Sequence, residues 1–249
     1  MSMQKDLART VIRISGGDRI RFLQDLVTNN VTADDGGLTY AALLSPQGKY
    51  LADFFLYQDG DAVLLDVDAE QAEALISRLT MYRLRADVAI EKTDIKVALG
   101  QGDVPPGAFG DPRTPALGWR AYGDVGGAGG GLDSIYVDKM IPTAGLDLIP
   151  NESYILEMEF ERLNGVDFRK GCYVGQEVTA RMKHKIELRK GLAKVAADGP
   201  VETGEVIMRD GKNIGRIGRV AGDMALAHIR FDQAGDGMTA GSANIRLID

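Results

Sequence analysis

Lys170-Gly171-Cys172-Tyr173-Val174-Gly175-Gln176-Glu177, followed by Arg181, is the stretch on which the fold assignment of this chain turns. It holds the only cysteine, Cys172, between two glycines and beside Lys170. Gly171 and Gly175 would let the backbone bend sharply and approach a ligand closely. Between Arg169 and Lys190 seven basic residues (Arg169, Lys170, Arg181, Lys183, Lys185, Arg189, Lys190) face only Glu177 and Glu187, a local excess of five positive charges in a chain of net charge −7. Positive surroundings lower a thiol's pKa, and the thiolate is the reactive and metal-binding form. The residues by themselves leave plainer alternatives open. A lone cysteine is more often a small buried core residue, and a basic cluster is usually a solvated face. Gln176-Glu177 could simply open a helix running to Lys185.

The rest of the chain sets the frame. Its 249 residues, 45% hydrophobic and 26% charged, suit one large globular domain or two unequal ones. The 31 glycines against 8 prolines imply many tight turns. A net charge of −7 argues against general coating of nucleic acid. One cysteine excludes an internal disulfide and any all-cysteine zinc or iron–sulfur site within one chain. Neither an apolar leader at Met1-Ser2-Met3-Gln4-Lys5-Asp6-Leu7 nor an apolar run of about 20 residues is present, so a soluble, cytoplasmic protein without a membrane partner is expected. A P-loop, an Asp-rich calcium loop and an H-E-x-x-H helix are all missing. His184, between Lys183 and Lys185, suits an anionic ligand better than a cation, and His228 reads as structural.

Periodicity supplies the elements. Thr10 to Ile14 reads as a strand, and Asp18 as the N-cap of a helix from Arg19 to Val27. Thr39–Leu44 and Leu51–Tyr57 read as a hairpin around a Ser45-Pro46-Gln47-Gly48 turn. Ala62–Val67, a helix from Glu70 to Arg83, Val88–Glu91 and Ile95–Leu99 resemble part of a ferredoxin-like layer. Gly100 to Gly118 reads as loop, and Gly123 to Gly131 as a low-complexity surface loop. Beyond Arg189, short strands between glycine turns predict a small all-β barrel.

The motif from Lys170 to Glu177 with Arg181 resembles the signature of the YgfZ family of folate-binding proteins, within the aminomethyltransferase (T-protein) superfamily. Weaker agreement extends along the chain: Phe22-Leu23-Gln24-Asp25-Leu26-Val27-Thr28-Asn29, Ser45-Pro46-Gln47-Gly48-Lys49, Asp111-Pro112-Arg113, Leu117-Gly118-Trp119-Arg120 and Leu226-Ala227-His228-Ile229-Arg230. The resemblance implies an α+β fold, a ring of ferredoxin-like and antiparallel β subdomains like that of aminomethyltransferase, closed by a small C-terminal β-barrel. Residues 1–188 would form the folate-binding region, with a ferredoxin-like unit at about 50–145, and 189–249 the barrel.

It also implies tetrahydrofolate or a derivative as ligand, and participation in assembly or repair of iron–sulfur proteins, including enzymes that modify tRNA. Cys172 carries over as the key thiol, and Lys170, Gly171, Tyr173, Gly175, Gln176, Glu177 and Arg181 as the motif that shapes its surroundings. One thiolate cannot hold a cluster. Cys172 would therefore lend one ligand to a transient cluster shared with a partner, exchange or oxidise as a thiol, or react with a folate-borne one-carbon unit. Aminomethyltransferases resemble Gly-Gly-x-x-Asp-Asp where this chain has Gln47-Gly48-Lys49-Tyr50-Leu51-Ala52-Asp53. Only one acid, Asp53, remains to steer a proton at the folate nitrogen, and it reads equally as a partly exposed strand residue without a chemical role. Three functions follow: a non-turnover assembly factor, a folate-dependent one-carbon transferase, and an RNA-binding module acting through residues 181–190.

Overall fold

The computed structural model describes residues 8–31, 36–124, 131–184 and 188–248. Most of the glycine-rich stretch at 123–131, together with Lys185 and Glu187 of the basic segment, lies outside the described residues. The chain divides into two compact units, Met1–Gly130 with Glu161–Gln176, and Gly131–Phe160 with Glu177–Asp249.

The first unit is built on a five-stranded antiparallel sheet. Its strands are β1 (Arg9–Ser15), β2 (Thr39–Leu44), β3 (Tyr50–Asp59), β4 (Ala62–Asp68) and β5 (Ala89–Lys92), in the order β2-β3-β4-β1-β5. Side chains alternate between the two faces of a strand, and the faces differ sharply in chemistry. Ile12 and Ile14, Ala41 and Leu43, Phe54 and Leu56, and Val63, Leu65 and Val67 form a hydrocarbon face. It is covered by α1 (Arg19–Gln24) and α2 (Ala72–Arg83), which bring Phe22, Leu23, Leu75 and Leu79 to it. The helix at α1 is shorter than its apolar spacing predicts, because Val27 leaves it to bridge Leu43 of β2. Asp18 holds the N-cap position, its carbonyl accepting the Phe22 N–H at 2.8 Å, but its side chain does not cap: Oδ2 instead accepts the backbone N–H of Asp87 at 2.9 Å.

The opposite face carries charge. Phe55 lies across from Asp66, and Arg9 donates to Asp66 Oδ1 at 2.6 Å. A three-stranded sheet, β6 (Val97–Gly100), β7 (Phe109–Gly110) and β8 (Trp119–Tyr122), supplies the rest of that face's partners. Arg120 of β8 donates to Asp66 Oδ2 at 3.0 Å and to Asp111 Oδ2 at 3.3 Å, with its guanidinium 3.9 Å from the Phe55 ring centroid. Arg113 holds Asp111 through two side-chain bonds at 3.0 and 2.8 Å, and Tyr122 donates to Asp66 at 3.0 Å. The stretch 100–118, expected as plain loop, thus carries a strand, a one-turn 3-10 helix at Pro115–Leu117 and half of a buried ion cluster. The second strand after α2, read with the first as part of one ferredoxin-like layer, pairs with β8 as β6 in this smaller sheet.

The second unit holds α3 (Asp133–Asp138), the irregular run 139–160, and a closed barrel. The barrel strands are β9 (Lys190–Ala197), β10 (Val206–Arg209), β11 (Lys212–Ala221), β12 (Met224–Arg230), β13 (Met238–Ala240) and β14 (Ala243–Ile248), in the order β10-β11-β12-β9-β14-β13. Val195, Ile207, Ile217, Ala227, Ile229 and Ile245 fill it, and closure leaves no edge to pair with another chain. Arg219, at the bulge of β11, donates to Thr143 Oγ1 and Asp133 while its backbone N–H meets Asp147 Oδ1 at 2.9 Å. A Cβ at Gly218 would fall 1.9 Å from that same Asp147 oxygen.

Burial alone would push the Asp111 carboxyl up, but the guanidinium groups of Arg113 and Arg120 reverse this and hold it at about 2. A folded-state value below the unfolded one gives stability that is present above pH ~4 and lost as pH falls through 2. The stability advantage of the wild type over Asp111→Asn should therefore shrink by about 2 kcal/mol between pH 5 and pH 2. Urea titrations across that range test this, and an advantage independent of pH would show that the carboxylate is not held ionised.

Candidate functional site

The motif loop is fixed at both ends. On its entry side, Asp167 donates its N–H to the Thr28 carbonyl at 3.1 Å, and Thr28 Oγ1 donates to the Gly165 carbonyl at 2.7 Å. Lys170 then turns inward. Its ammonium donates to the Gln24 carbonyl at 2.7 Å and to that of Val27, where α1 ends and its last carbonyls lack helical partners. It also lies 5.0 Å from the Tyr173 ring centroid. Burial lowers the Lys170 pKa to about 8 against the opposing pull of Asp25 and Asp167.

On the exit side, Val174 packs on the apolar core of the first unit. Gly175 adopts φ +83°, and a Cβ there would meet the Ser45 carbonyl oxygen at 2.6 Å and Gly48 Cα at 3.1 Å. The loop therefore seats directly on the β2–β3 turn, which is closed by the Gly48 N–H to Ser45 carbonyl bond at 2.8 Å. Three stretches that are distant in sequence (the end of α1, the hairpin turn and the motif) meet around residues 170–175.

Between these anchors the chain faces outward. Cys172 is a free, exposed thiol, so the buried-core alternative for it is removed. Tyr173 beside it is buried. Gly171 has open space where a Cβ would be and no positive φ, so of the two glycines only Gly175 is sterically required. Helix α4 (Gln176–Lys183) follows, with Gln176 half-buried and Glu177 and Arg181 exposed. It ends before Lys185. His184 is exposed just beyond it.

Asp53 belongs to a different environment. It is on the charged face of the sheet, buried, and its two oxygens accept the hydroxyls of Tyr40 at 2.9 Å and Tyr50 at 2.6 Å. Burial, and then the Asp53 charge itself, raise both phenol pKa values well above the ordinary range, so these donors stay protonated. Of the two readings of Asp53, the partly exposed strand residue is corrected: alternation in β3 places it, buried, on the face of Phe55 and the ion cluster. In the second unit His228 meets Glu157 Oε2 at 3.0 Å. The cluster as a whole is not visible in the sequence, because Asp66 draws its arginines, Arg120 and Arg9, from 54 and 57 residues away.

Comparison with known proteins adds to this geometry. Residues 189–249 match the family described as CAF17, C-terminal beta-barrel domain. The human mitochondrial iron-sulfur cluster assembly factor IBA57 is 30% identical, over 88% of this chain and 74% of its own length. The chain belongs to the IBA57 family. A Mycosarcoma maydis IBA57 homologue is 32% identical over 76% of this chain, and the chain spans about half the length of such fungal relatives, 55% in this case. The crystal structure of aminomethyltransferase T of the glycine cleavage system from Bartonella henselae superposes with a TM-score of 0.75 over 97% of this chain and 83% of its own, at 14% identity. The mixed α/β aminomethyltransferase fold with its C-terminal barrel is therefore shared.

The cytoplasmic expectation is overturned, since these IBA57 relatives are named as mitochondrial. An apolar leader marks secretion, whereas mitochondrial targeting uses amphipathic, arginine-rich segments.

The two anchors should carry stability and the thiol should not. Gly175→Val is expected to cost about 3 kcal/mol or more through clash and strained φ. Lys170→Met should cost about 1–3 kcal/mol by orphaning buried carbonyls, and Cys172→Ala less than about 0.5 kcal/mol. Thermal melts of the three variants check the ranking; a Cys172→Ala penalty as large as that of Gly175→Val would overturn it.

Proposed function

We propose that this chain is a folate-binding accessory factor in the assembly or repair of iron–sulfur proteins, with Cys172 as its key group. The finer likeness to the YgfZ proteins, and an indirect contribution to tRNA modification through iron–sulfur enzymes, belong to the same proposal. The observation that carries it is an exposed thiol on a loop anchored at Lys170 and Gly175, in a chain whose relatives are iron-sulfur cluster assembly factors.

Among the described residues no group of three or more His, Cys, Asp or Glu side chains converges to hold a metal ion. A four-ligand cluster touching Cys172 therefore takes its remaining ligands from a partner, and an exposed thiol on a fixed loop is what such sharing needs. Tetrahydrofolate or a derivative is the proposed small ligand, with the basic residues around Arg181 and Lys183 suited to its anionic glutamate tail.

The accessory-factor reading is preferred to an aminomethyl transferase on one further ground. A general base must reach the proton it moves, and both Asp53 oxygens already accept phenol hydroxyls.

The test is the activity of a four-iron enzyme such as aconitase in cells lacking this protein, complemented with wild type, Cys172→Ala or Asp53→Asn. Loss of activity restored by wild type but not by Cys172→Ala is the expected result. Equal rescue by Cys172→Ala and wild type would refute the role of the thiol. Aconitase activity that never falls would refute the assembly role itself. Calorimetric titration of the purified chain with tetrahydrofolate tests the ligand separately.

A further inference from the structure

Helix α2 ends in an unusual way. Its buried residues Ala72, Leu75 and Leu79 are satisfied by the first unit's core. Met81 is nevertheless 63% exposed and Leu84 86% exposed. Leu84 also has φ +46° and ψ −105°, with the Ala86 N–H returning to the Arg83 carbonyl at 2.8 Å. These are the features of a type II′ turn with Leu84 at its first central position, where glycine is the favoured residue. A leucine there strains the backbone and gains no burial in return. Strain retained at an exposed position points to a use outside the folded monomer.

Basic charge dominates this stretch. Arg78, Arg83 and Arg85 are the charged residues between Glu73 and Asp87, and Asp87, exposed at the end of the turn, already accepts the Gly17 N–H at 2.9 Å through Oδ2. Arg78 lies one helical turn before Met81, on the same side. Arg83 steadies the turn through Nη1 to the Val88 carbonyl at 3.4 Å, and Arg85 is exposed. This basic rim stands out in a chain of net charge −7.

We propose that Leu84, with Met81, is an apolar knob that docks into an acid-rimmed apolar socket on a partner protein. A protruding apolar side chain flanked in sequence by Arg83 and Arg85, with Arg78 one turn before Met81, matches the anchor-and-rim pattern of protein interfaces, and the excess positive charge selects an acidic partner. A lipid surface fits less well. The other exposed positions of α2 include Glu73, Ser77 and Thr80, so the wide apolar stripe of an interfacial helix is missing. The surface is independent of Cys172 and of the iron–sulfur reading.

The experiment places a photo-cross-linking residue at position 84 of the full chain in cells, with position 74, exposed on the same helix, as the control. The protein captured is purified and titrated against wild type, Leu84→Gly and Arg78→Glu/Arg85→Glu. The expected result is one acidic protein captured at 84 and not at 74. Its Kd should weaken about tenfold or more in both variants and weaken further with added salt. Leu84→Gly should at the same time melt about 2–4 °C higher, because the turn strain is relieved, which excludes misfolding as the cause. Equal capture at both positions, no capture, or an unchanged Kd would overturn the proposal. So would Leu84-dependent sedimentation with phosphatidylcholine vesicles containing phosphatidylserine, which would assign the knob to a membrane.

Discussion

A buried ammonium group reaching the open end of a short helix holds the functional loop in place. Lys170 gives α1 the donors that its last carbonyls lack, and in doing so fixes where residues 170–175 leave the core. Gly175 fixes where they return, because only a residue without Cβ can rest on the Ser45 carbonyl. With both ends determined and Val174 packed into the apolar core, the middle of the loop has little choice but to face solvent. The exposure of Cys172 thus follows from buried contacts made by its neighbours. The same arrangement separates stability from chemistry: the anchors carry the packing, and the thiol carries none of it.

The five-stranded sheet explains why two of its acids, Asp53 and Asp66, share an environment. The period of two sends residues 52, 54 and 56 to the helices and 53, 55 and 57 to the other side. A face that already carries Asp66 and Arg9 cannot be covered by hydrocarbon without orphaning charge. The small sheet answers with Arg120, Arg113 and Tyr122, and the aromatic ring of Phe55 fills the space beneath a guanidinium. Asp53 joins this face through the tyrosines of β2 and β3. Buried charges set in such a network cost a great deal to unpair, so the interaction fastens the 97–122 segment to the main sheet.

Much of this was legible in the sequence, and the divisions are physical. Strands with strict alternation, the hairpin at Ser45–Gly48 and the barrel of short strands between glycines declare themselves locally. What failed to show depends on residues far apart in the chain. Asp18 has the chemistry of a cap, but Asp87 offered a better partner. Ile95–Leu99 has the pattern of a strand, yet pattern alone does not say which sheet it joins. Gly171 and Gly175 look alike in the motif, yet only Gly175 takes a positive φ and sits against the Ser45 carbonyl. The fate of Asp53 depended on two tyrosines that flank it in space.

Leu84 illustrates the complementary lesson, that a local rule broken without local compensation carries information. The fully buried residues of α2 end at Leu79, and although Tyr82 and Ala86 still pack on the core, their neighbours depart from the interior logic of the unit: an exposed methionine and a leucine in a glycine's conformation. A fold selected for stability alone would place glycine or asparagine at that turn. Cys172 is exposed without strain, because its neighbours supply the anchoring. Leu84 is exposed with strain, and nothing within its own unit returns the cost. Two exposed residues can therefore be told apart by their backbones: one displayed by contacts made elsewhere, the other held in readiness for a contact still to be made.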